Sequence, residues 1–333
     1  MFGLWVGVWG PVPRPLPLMP RSKTFTAAVL GGALFTAAAI AQGAFAQGTG
    51  RWTTGMPMPS SRTEIAVAEV DGKIYVVGGF RGERELEIYD PSTDRWSRGA
   101  SIPRAVHHAG AAGLNGRLYV IGGFVEGWTP TDEVHEYDPA SGRWQRLAPL
   151  PTVRGALAAA VLDGKIYAVG GIGWRGRTTA AHEVYDPAAN RWTALAYVPT
   201  ARDHLAAAAM GGRLYAVGGR IDGNYSRNLT SNEAYDPATD RWEQHARMPT
   251  ARSGIAAAVL EGRMFVFGGE APSGTFNQAE AYDAKSNGWR RHASMPTARH
   301  GLGAAAVAGR IYVISGGPTP GDSVSAANEI FEP

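Results

Sequence analysis

The chain has 333 residues with 44 glycines and no cysteine, which excludes disulfide bonds and thiolate chemistry. Its formal net charge of +3 comes from 32 basic and 29 acidic residues, and three of the basic ones lie before residue 24. The other 32 − 3 = 29 basic residues balance the 29 acidic ones, so no basic excess is left to attract nucleic acid.

The first 46 residues have the pattern of a secretory leader. A short basic start precedes an apolar run over 25–41, and the segment ends Ala-Phe-Ala. This pattern predicts cleavage after Ala46 and an extracytoplasmic protein, periplasmic or secreted, with no stable membrane insertion after cleavage. An uncleaved anchor is the alternative, but a spanning helix prefers ~20 clearly apolar residues and this run is diluted with Gly and Thr. Met19 is a candidate true start, which would make residues 1–18 a gene-assignment artefact.

After the leader, one unit repeats six times. A proline opens each copy and a turn glycine follows thirteen residues later, at Pro59, Pro103, Pro151, Pro199, Pro249 and Pro296, and at Gly72, Gly116, Gly164, Gly212, Gly262 and Gly309. Six tryptophans, from Trp52 to Trp289, step by 44, 48, 48, 50 and 47 residues. The first residues of the Gly-Gly pairs, with Ser315 in the last copy, keep the same steps. Such a period is typical of a propeller or array.

Each unit is predicted to form four antiparallel strands, A to D. Strand A is short and rich in Ala, and a two-residue turn such as Asp71-Gly72 joins it to strand B, which ends in Gly-Gly. Strand C ends in Tyr-Asp-Pro, and strand D carries the Trp. Six such sheets bury both of their faces only when they pack radially, so residues 47–333 are predicted to form one all-β, six-bladed propeller.

The ends of the repeat predict how the ring closes. Trp52 precedes any strand A, and the last unit stops after a strand C at Phe331. The N-terminal strand is therefore expected to supply strand D of the last blade.

The order Gly-Gly, Tyr-Asp-Pro and Trp at this spacing resembles the Kelch repeat over residues 51–333. Kelch propellers include protein-binding domains of ubiquitin-ligase adaptors, bacterial sialic-acid mutarotases and copper oxidases of the galactose oxidase type, so the resemblance implies a fold more than an activity. The copper oxidases use a tyrosine crosslinked to a cysteine, which this chain lacks, and the leader disfavours the cytosolic adaptors. The chain is most similar to exported bacterial Kelch proteins.

Arginine recurs on the face expected to carry the D-A and B-C connections, whose variable B-C loops make it the candidate binding face. It stands three residues after the opening proline in five blades, while blade 2 has Val106 there and an arginine two residues earlier. Either each arginine packs within the architecture, or the guanidinium groups ring the channel mouth and bind a carboxylate or acidic peptide. In Kelch adaptors, arginines at this place contact acidic ligands, so the resemblance implies the second. The candidates are Arg62, Arg104, Arg154, Arg202, Arg252 and Arg299.

The two positions after these arginines hold the candidate acid–base groups: Glu64, Asp203, His204 and His300. A three-histidine metal site is conceivable, since histidines occur there in blades 2, 4 and 6. However, His204 is one residue out of register with His107 and His300, and the mouths of such rings are wide. We therefore expect no metal and no other cofactor.

The B-C loops add Trp128, Trp174, Tyr225 and Asn277, which suit a sugar or a peptide, although loop aromatics also cap blade ends. We expect a monomeric binding module for a protein or carbohydrate, leaning away from an enzyme. The alternative is a mutarotase or epimerase for an acidic sugar, in which arginine holds the carboxylate and Glu64, Asp203 or a histidine moves the proton. A cell-envelope scaffold without a small ligand is a third possibility.

Overall fold

The computed structural model describes residues 48–333, which belong to one compact unit. The leader expected over residues 1–46 lies outside the described residues. Within 48–333, no helix has the length and apolar character needed to cross a membrane.

Twenty-eight strands follow one another within residues 48–333, most of them in six four-stranded sheets. Strand β1 is Arg51–Thr54. Blade 1 contains β2 (Ala66–Val70), β3 (Lys73–Val77), β4 (Leu86–Asp90) and β5 (Arg95–Arg98). Blade 2 contains β6 (Gly110–Leu114), β7 (Arg117–Ile121), a small loop hairpin of β8 (Phe124–Val125) and β9 (Thr129–Pro130), then β10 (Val134–Asp138) and β11 (Arg143–Arg146). Blade 3 contains β12 (Ala158–Leu162), β13 (Lys165–Val169), β14 (His182–Asp186) and β15 (Arg191–Ala194).

The second half repeats this arrangement. Blade 4 contains β16 (Ala206–Met210), β17 (Arg213–Val217), β18 (Asn232–Asp236) and β19 (Arg241–Gln244). Blade 5 contains β20 (Ala256–Leu260), β21 (Arg263–Phe267), a loop hairpin of β22 (Glu270–Ala271) and β23 (Gly274–Thr275), then β24 (Ala279–Asp283) and β25 (Gly288–Arg291). Blade 6 contains β26 (Gly303–Val307), β27 (Arg310–Ile314) and β28 (Asn328–Glu332). Single-turn 3₁₀ helices lie in two B-C loops, at Trp174–Gly176 and Tyr225–Arg227.

The architecture confirms the all-β, six-bladed propeller. Every large sheet has the antiparallel order A-B-C-D, and the innermost A strands of neighbouring blades contact one another around the axis. The A-B turns are two residues long with positive φ at both positions, as at Asp71 (48°) and Gly72 (78°). This is the backbone of a type I′ turn, whose twist matches that of the flanking strands.

Crowding at the axis explains the small residues of the A strands. A Cβ on Gly113 would stand 1.8 Å from the carbonyl oxygen of Glu69 in blade 1, and a Cβ on Gly303 would stand 2.1 Å from a methyl carbon of Val67. Larger side chains at these positions would push neighbouring blades apart. The close approach of the inner strands therefore depends on Gly and Ala.

The repeated tryptophans join each blade to the one before it. Each indole Nε1 donates a hydrogen bond to a backbone carbonyl of the preceding blade, at 2.7–3.1 Å, as Trp144 does to Ala100. Each Trp also packs on the aromatic residue one position before the end of strand C, such as Tyr137 at 5.0 Å between ring centroids. These residues are therefore architectural.

The N-terminal strand closes the ring, as the sequence predicts. Strand β1 pairs with β28 and forms the outer strand of blade 6. Trp52 on β1 lies 4.9 Å from Phe331 between ring centroids and donates to the carbonyl of Ala293. Blade 6 is thus assembled from both ends of the described chain.

Candidate functional site

Two positions in each blade meet on the D-A/B-C face. The residue after the Gly pair forms an isolated antiparallel bridge with the residue after the arginine position. The six bridges are Thr63 with Phe80, His107 with Phe124, Gly155 with Ile172, Asp203 with Arg220, Ser253 with Glu270, and His300 with Gly317. The second glycine of each pair, or Gly316 in blade 6, donates to the carbonyl at the arginine position of the following blade. The backbone therefore fixes which side chains face the axis.

The five arginines of the repeat do not surround the channel mouth, which corrects our second interpretation of them. Arg62, Arg154, Arg202, Arg252 and Arg299 have no exposed surface. Each guanidinium forms an ion pair with the second residue of strand C in its own blade, at 2.5–2.9 Å. Those partners are Glu87, Glu183, Glu233, Glu280 and Glu329. Each arginine also donates to backbone carbonyls of its own blade, so its donors serve the blade rather than a ligand.

Blade 2 replaces both members of this pair. Val106 occupies the arginine position, and His135 occupies the position of the glutamate. Its displaced Arg104 is partly exposed and pairs with Glu133 and Glu126, both at 2.8 Å. Arg104 is therefore the member of the predicted set that reaches the surface, but both of its terminal nitrogens are already paired within blade 2.

A closed circle of backbone hydrogen bonds surrounds the propeller axis. Its members stand two residues after the arginine position: Glu64, His108, Ala156, His204, Gly254 and Gly301. Each N–H donates to the carbonyl of the previous member at 2.7–3.0 Å, and Glu64 completes the circle on Gly301. All six residues have positive φ, between 49° and 64°. The mouth is thus narrow, contrary to the wide opening that our expectation of no metal assumed.

Ionisable side chains converge on this circle, which we call the axial cluster: Glu64, His108, Asp203, His204, Arg220, Glu270 and His300. Nε2 of His108 lies 3.2 Å from a Glu64 oxygen, and Nδ1 of His204 lies 2.6 Å from Oδ1 of Asp203. Nε2 of His300 lies 3.6 Å from Glu64 and 3.7 Å from Glu270. All four predicted acid–base residues therefore belong to one cluster.

Burial sets the charge states in this cluster. It raises the pKa of Glu64, and it raises that of Asp203 to about 6 against the opposing Gly223 N–H and Arg220. Burial also lowers the pKa of His108 and His204 well below the usual range, with neighbouring cations adding to the effect. Both imidazoles are therefore neutral at pH 7. Asp203 has no exposed surface, so it orients His204 rather than facing a ligand.

Arg220 and Glu270 were missed by our sequence analysis. They form a buried ion pair at 2.6 Å, and Arg220 lies 3.5 Å from Asp203. A signal was present, because both directly follow a Gly-Gly pair where the other blades have Phe, Phe, Ile and Gly. Two blades thus carry an ionisable residue at a position that is apolar or glycine in the other four. Such a departure indicates a role other than maintaining the blade structure.

Beside the axis, a cleft of about 460 Å³ lies among the B-C loops of blades 2, 3 and 4. It is lined by Trp128, Trp174, Arg175 and Asp222, and His204 lines both this cleft and the axial cavity of about 80 Å³. Trp128 and Trp174 are 61% and 63% exposed. The structure thus brings these two predicted residues to one cleft.

The other loop candidates lie apart from this cleft. Tyr225 is 36% exposed, and its ring centroid lies 5.7 Å from Cζ of the Arg220 guanidinium. Asn277 is exposed on the B-C loop of blade 5 and does not line the cleft. Of the four predicted loop residues, two therefore share a candidate binding surface.

Comparisons with known proteins agree with this architecture. The model of the KLHDC2/KLHL20/DRC7 Kelch-repeats domain matches residues 99–247 and 198–331, and that of the Kelch motif matches residues 61–103. A solved structure entitled "Structure of YjhT" is similar with a TM-score of 0.74 at 15% identity, over 83% of this chain and 96% of that one. At this identity the likeness concerns the fold alone. No curated protein matches the chain. The matched models span most of the propeller, and the chain belongs to the Kelch-repeat family.

Proposed function

We propose that this Kelch propeller binds a carbohydrate in the cleft between Trp128 and Trp174. The observation that carries the proposal is a pair of largely exposed indoles beside one mainly apolar cleft. Exposed aromatic surface of this kind costs free energy in water and marks a binding surface when it is grouped. The cleft volume lies within the range of about 300–1,000 Å³ that small-molecule sites occupy, which favours a sugar over a folded protein partner.

The indole of Trp128 is held in a fixed orientation. It packs against Phe80, His107 and Phe124 at 5.0–5.8 Å between ring centroids. Its free face is therefore preorganised for the apolar C–H face of a pyranose, and stacking costs little additional ordering.

Trp174 lies on a loop that is tied to the next blade. Asp222 of blade 4 accepts a hydrogen bond from Thr178 N at 3.0 Å and pairs with Arg177 at 3.1 Å. The 3₁₀ turn Trp174–Gly176 contains Arg175 at a φ of 62°, which turns the loop sharply beside the cleft. The two indoles thus stand on separate, individually braced loops.

Arg175 gives the cleft a preference for an acidic sugar. It is exposed, lines the cleft and has no ion-pair partner within residues 48–333, whereas the five repeat arginines are buried and paired. A guanidinium binds a carboxylate through two parallel hydrogen bonds. An acidic substituent is therefore expected to add affinity that a neutral sugar lacks.

Thermal unfolding with a panel of neutral and acidic sugars tests this proposal. A ligand at a hundredfold excess over its Kd stabilises the folded state by about 2.7 kcal/mol. Trp128→Ala and Trp174→Ala are expected to abolish the shift, and Arg175→Ala to remove the preference for acidic sugars. Tyr197→Ala is the matched control, because Tyr197 is 73% exposed and does not line the cleft.

Failure of every sugar to bind, or equal binding by the tryptophan variants, would overturn the carbohydrate proposal and favour a protein partner or a scaffold. The mutarotase alternative is tested on the same samples by the rate of anomeric exchange in NMR spectra. Accelerated exchange that needs both tryptophans would add catalysis to binding.

A further inference from the structure

The axial cluster lies beside the sugar cleft and shares His204 with it. We propose that Glu64, His108 and His204 bind a divalent first-row transition-metal ion on the propeller axis, with Zn²⁺ as the representative probe. One ligand atom from each of the three lies within 4.8 Å of the others. Two imidazoles and one carboxylate are a common donor set for such ions, and three protein ligands leave a position open.

The backbone circle preorganises these ligands. Glu64, His108 and His204 occupy the same position in blades 1, 2 and 4, and each is fixed by a backbone hydrogen bond on either side. The other members of the circle are Ala156, Gly254 and Gly301, so the space over the axis is left to the three long side chains. A Cβ on Gly301 would stand 2.6 Å from a Glu64 oxygen, which shows that the carboxylate lies across this glycine.

The hydrogen bonds of His107 determine which nitrogen of His108 is free. Nε2 of His107 lies 2.5 Å from the carbonyl oxygen of Gly127, which can only accept, so this nitrogen carries the hydrogen. With its hydrogen on Nε2, the neutral His107 ring presents Nδ1 as an acceptor. Nδ1 of His108 lies 2.6 Å from that atom and must donate to it. Nε2 of the neutral His108 ring therefore carries no hydrogen and has its lone pair free.

That lone pair faces a carboxylate. Nε2 of His108 is 3.2 Å from Oε2 of Glu64, and two acceptors at this distance repel each other unless a cation or a proton lies between them. The pair alone permits a proton on Glu64. His204 supplies the observation that favours a metal ion.

His204 supplies a second lone pair, on a ring whose centroid lies 5.0 Å from that of His108. Its Nδ1 lies 2.6 Å from Oδ1 of Asp203 and donates to it, which leaves Nε2 as the acceptor. That Nε2 is buried and has no hydrogen-bond partner among the described residues, and the side chain is 3% exposed. A carboxylate behind a histidine fixes the tautomer and raises basicity in the way that metal sites require. Arg220 in turn lies 3.5 Å from Asp203 and holds it in place.

His300 is a less suitable ligand than His108 or His204 because of its own contacts. Its Nδ1 and Nε2 each lie 3.1 Å from a backbone carbonyl oxygen, of Gly317 and Gly321. Each nitrogen thus faces a backbone carbonyl oxygen, although a second group of Glu64, Glu270 and His300 also lies within 4.8 Å. The geometry therefore selects the group that contains His108 and His204.

Cobalt and zinc binding to the untagged, chelator-treated full chain tests the proposal. Co²⁺ titration is expected to give saturable visible absorption of a low-symmetry site at one ion per chain, and Zn²⁺ is expected to displace it. His108→Ala, His204→Ala and Glu64→Gln are each expected to weaken Zn²⁺ binding by more than ~100-fold, and Asp203→Asn by ~10-fold. The two histidine variants copy Ala156 at the same circle position, so the backbone accepts them; far-UV circular dichroism checks their folding.

His300→Ala is the control that separates the two candidate groups, and it is expected to keep Zn²⁺ affinity within a few-fold. Binding lost in His300→Ala and kept in His204→Ala would overturn the proposed ligand set. Absence of Co²⁺ and Zn²⁺ binding to the folded wild type would overturn the site and leave a proton on Glu64 as the bridge to His108. Neither result depends on sugar binding.

Discussion

Replacing Arg154 by valine leaves the carboxylate of Glu183 buried without its cation. The guanidinium lies 2.5 Å from Glu183 and donates to the carbonyls of Thr152 and Ala168 at 2.8 and 3.1 Å. Without it, the side-chain hydrogen bond that the carboxylate keeps within residues 48–333 is the one from the hydroxyl of Thr152. Removing one member of a buried pair costs about 3–5 kcal/mol because the other charge stays desolvated, and we expect Arg154→Val to lower the free energy of unfolding by that amount.

Blade 2 supplies the matched double variant. Val106 and His135 stand where the other blades have Arg and Glu, so Arg154→Val with Glu183→His reproduces a pair that this fold already accepts. Removing both charges removes the uncompensated desolvation, and the double variant is expected to recover about 2–3 kcal/mol relative to Arg154→Val.

Urea unfolding followed by tryptophan fluorescence and circular dichroism measures both values. Arg191→Val on the exposed strand β15 is the control and should change stability by no more than ~0.5 kcal/mol. A single variant as stable as the wild type, or a double variant whose loss equals the sum of the two single losses, would refute the reasoning. The first would mean that the pair is not desolvated, and the second that its members act independently.

Three further predictions follow from the fold. Deletion of residues 51–58 removes strand β1 and should abolish cooperative unfolding, whereas a propeller of unchanged melting temperature would contradict closure of blade 6 by this strand. Burial lowers the pKa of His182 to about 4, so the folded protein holds the neutral form while the unfolded chain takes up a proton below pH 6.5. The free energy of unfolding is therefore expected to fall by roughly 3 kcal/mol as pH falls from 6.5 to 4. His182→Asn, which copies Asn232 and its hydrogen bond to the D-A segment, should remove that pH dependence in denaturation curves recorded at each pH. Gly301→Ala should destabilise more than Gly254→Ala, since the added Cβ meets Thr63 and Glu64 at 2.5–2.6 Å in the first and nothing closer than 3.4 Å in the second; equal melting temperatures would argue against a crowded axis.

The buried arginines show where sequence reasoning stopped short. Five blades carry both Arg and the strand-C Glu, and blade 2 lacks both. The two repeat positions therefore vary together in the sequence, as expected for an ion pair. A comparison of each repeat position with the equivalent position in the other repeats does not show that two different positions, the Arg and the Glu, change together. The pairing favours the architectural interpretation of the arginines over the ligand-binding one.

The histidines show a feature of the site that residue spacing in the sequence did not predict. Register along the sequence separates His204 from His107 and His300, and that separation argued against convergence. The structure places His108, rather than His107, in the same circle position as His204, and the hydrogen-bonded backbone brings both side chains to the axis. Which nitrogen is free depends on contacts with Gly127 and Asp203 that no spacing encodes.

The sequence by itself determined the strands, the two-residue A-B turns, the number of blades and the closure by Trp52, because each follows from a local pattern repeated at a fixed period. Tertiary structure alone decided what meets on the axis and in the cleft. Residues at equal positions in different blades become neighbours only when the ring closes, and the burial that sets their charges exists only in the closed ring. For this reason the repeat specifies the propeller, while the residues that depart from the repeat, such as Arg220 and His204, define its candidate sites.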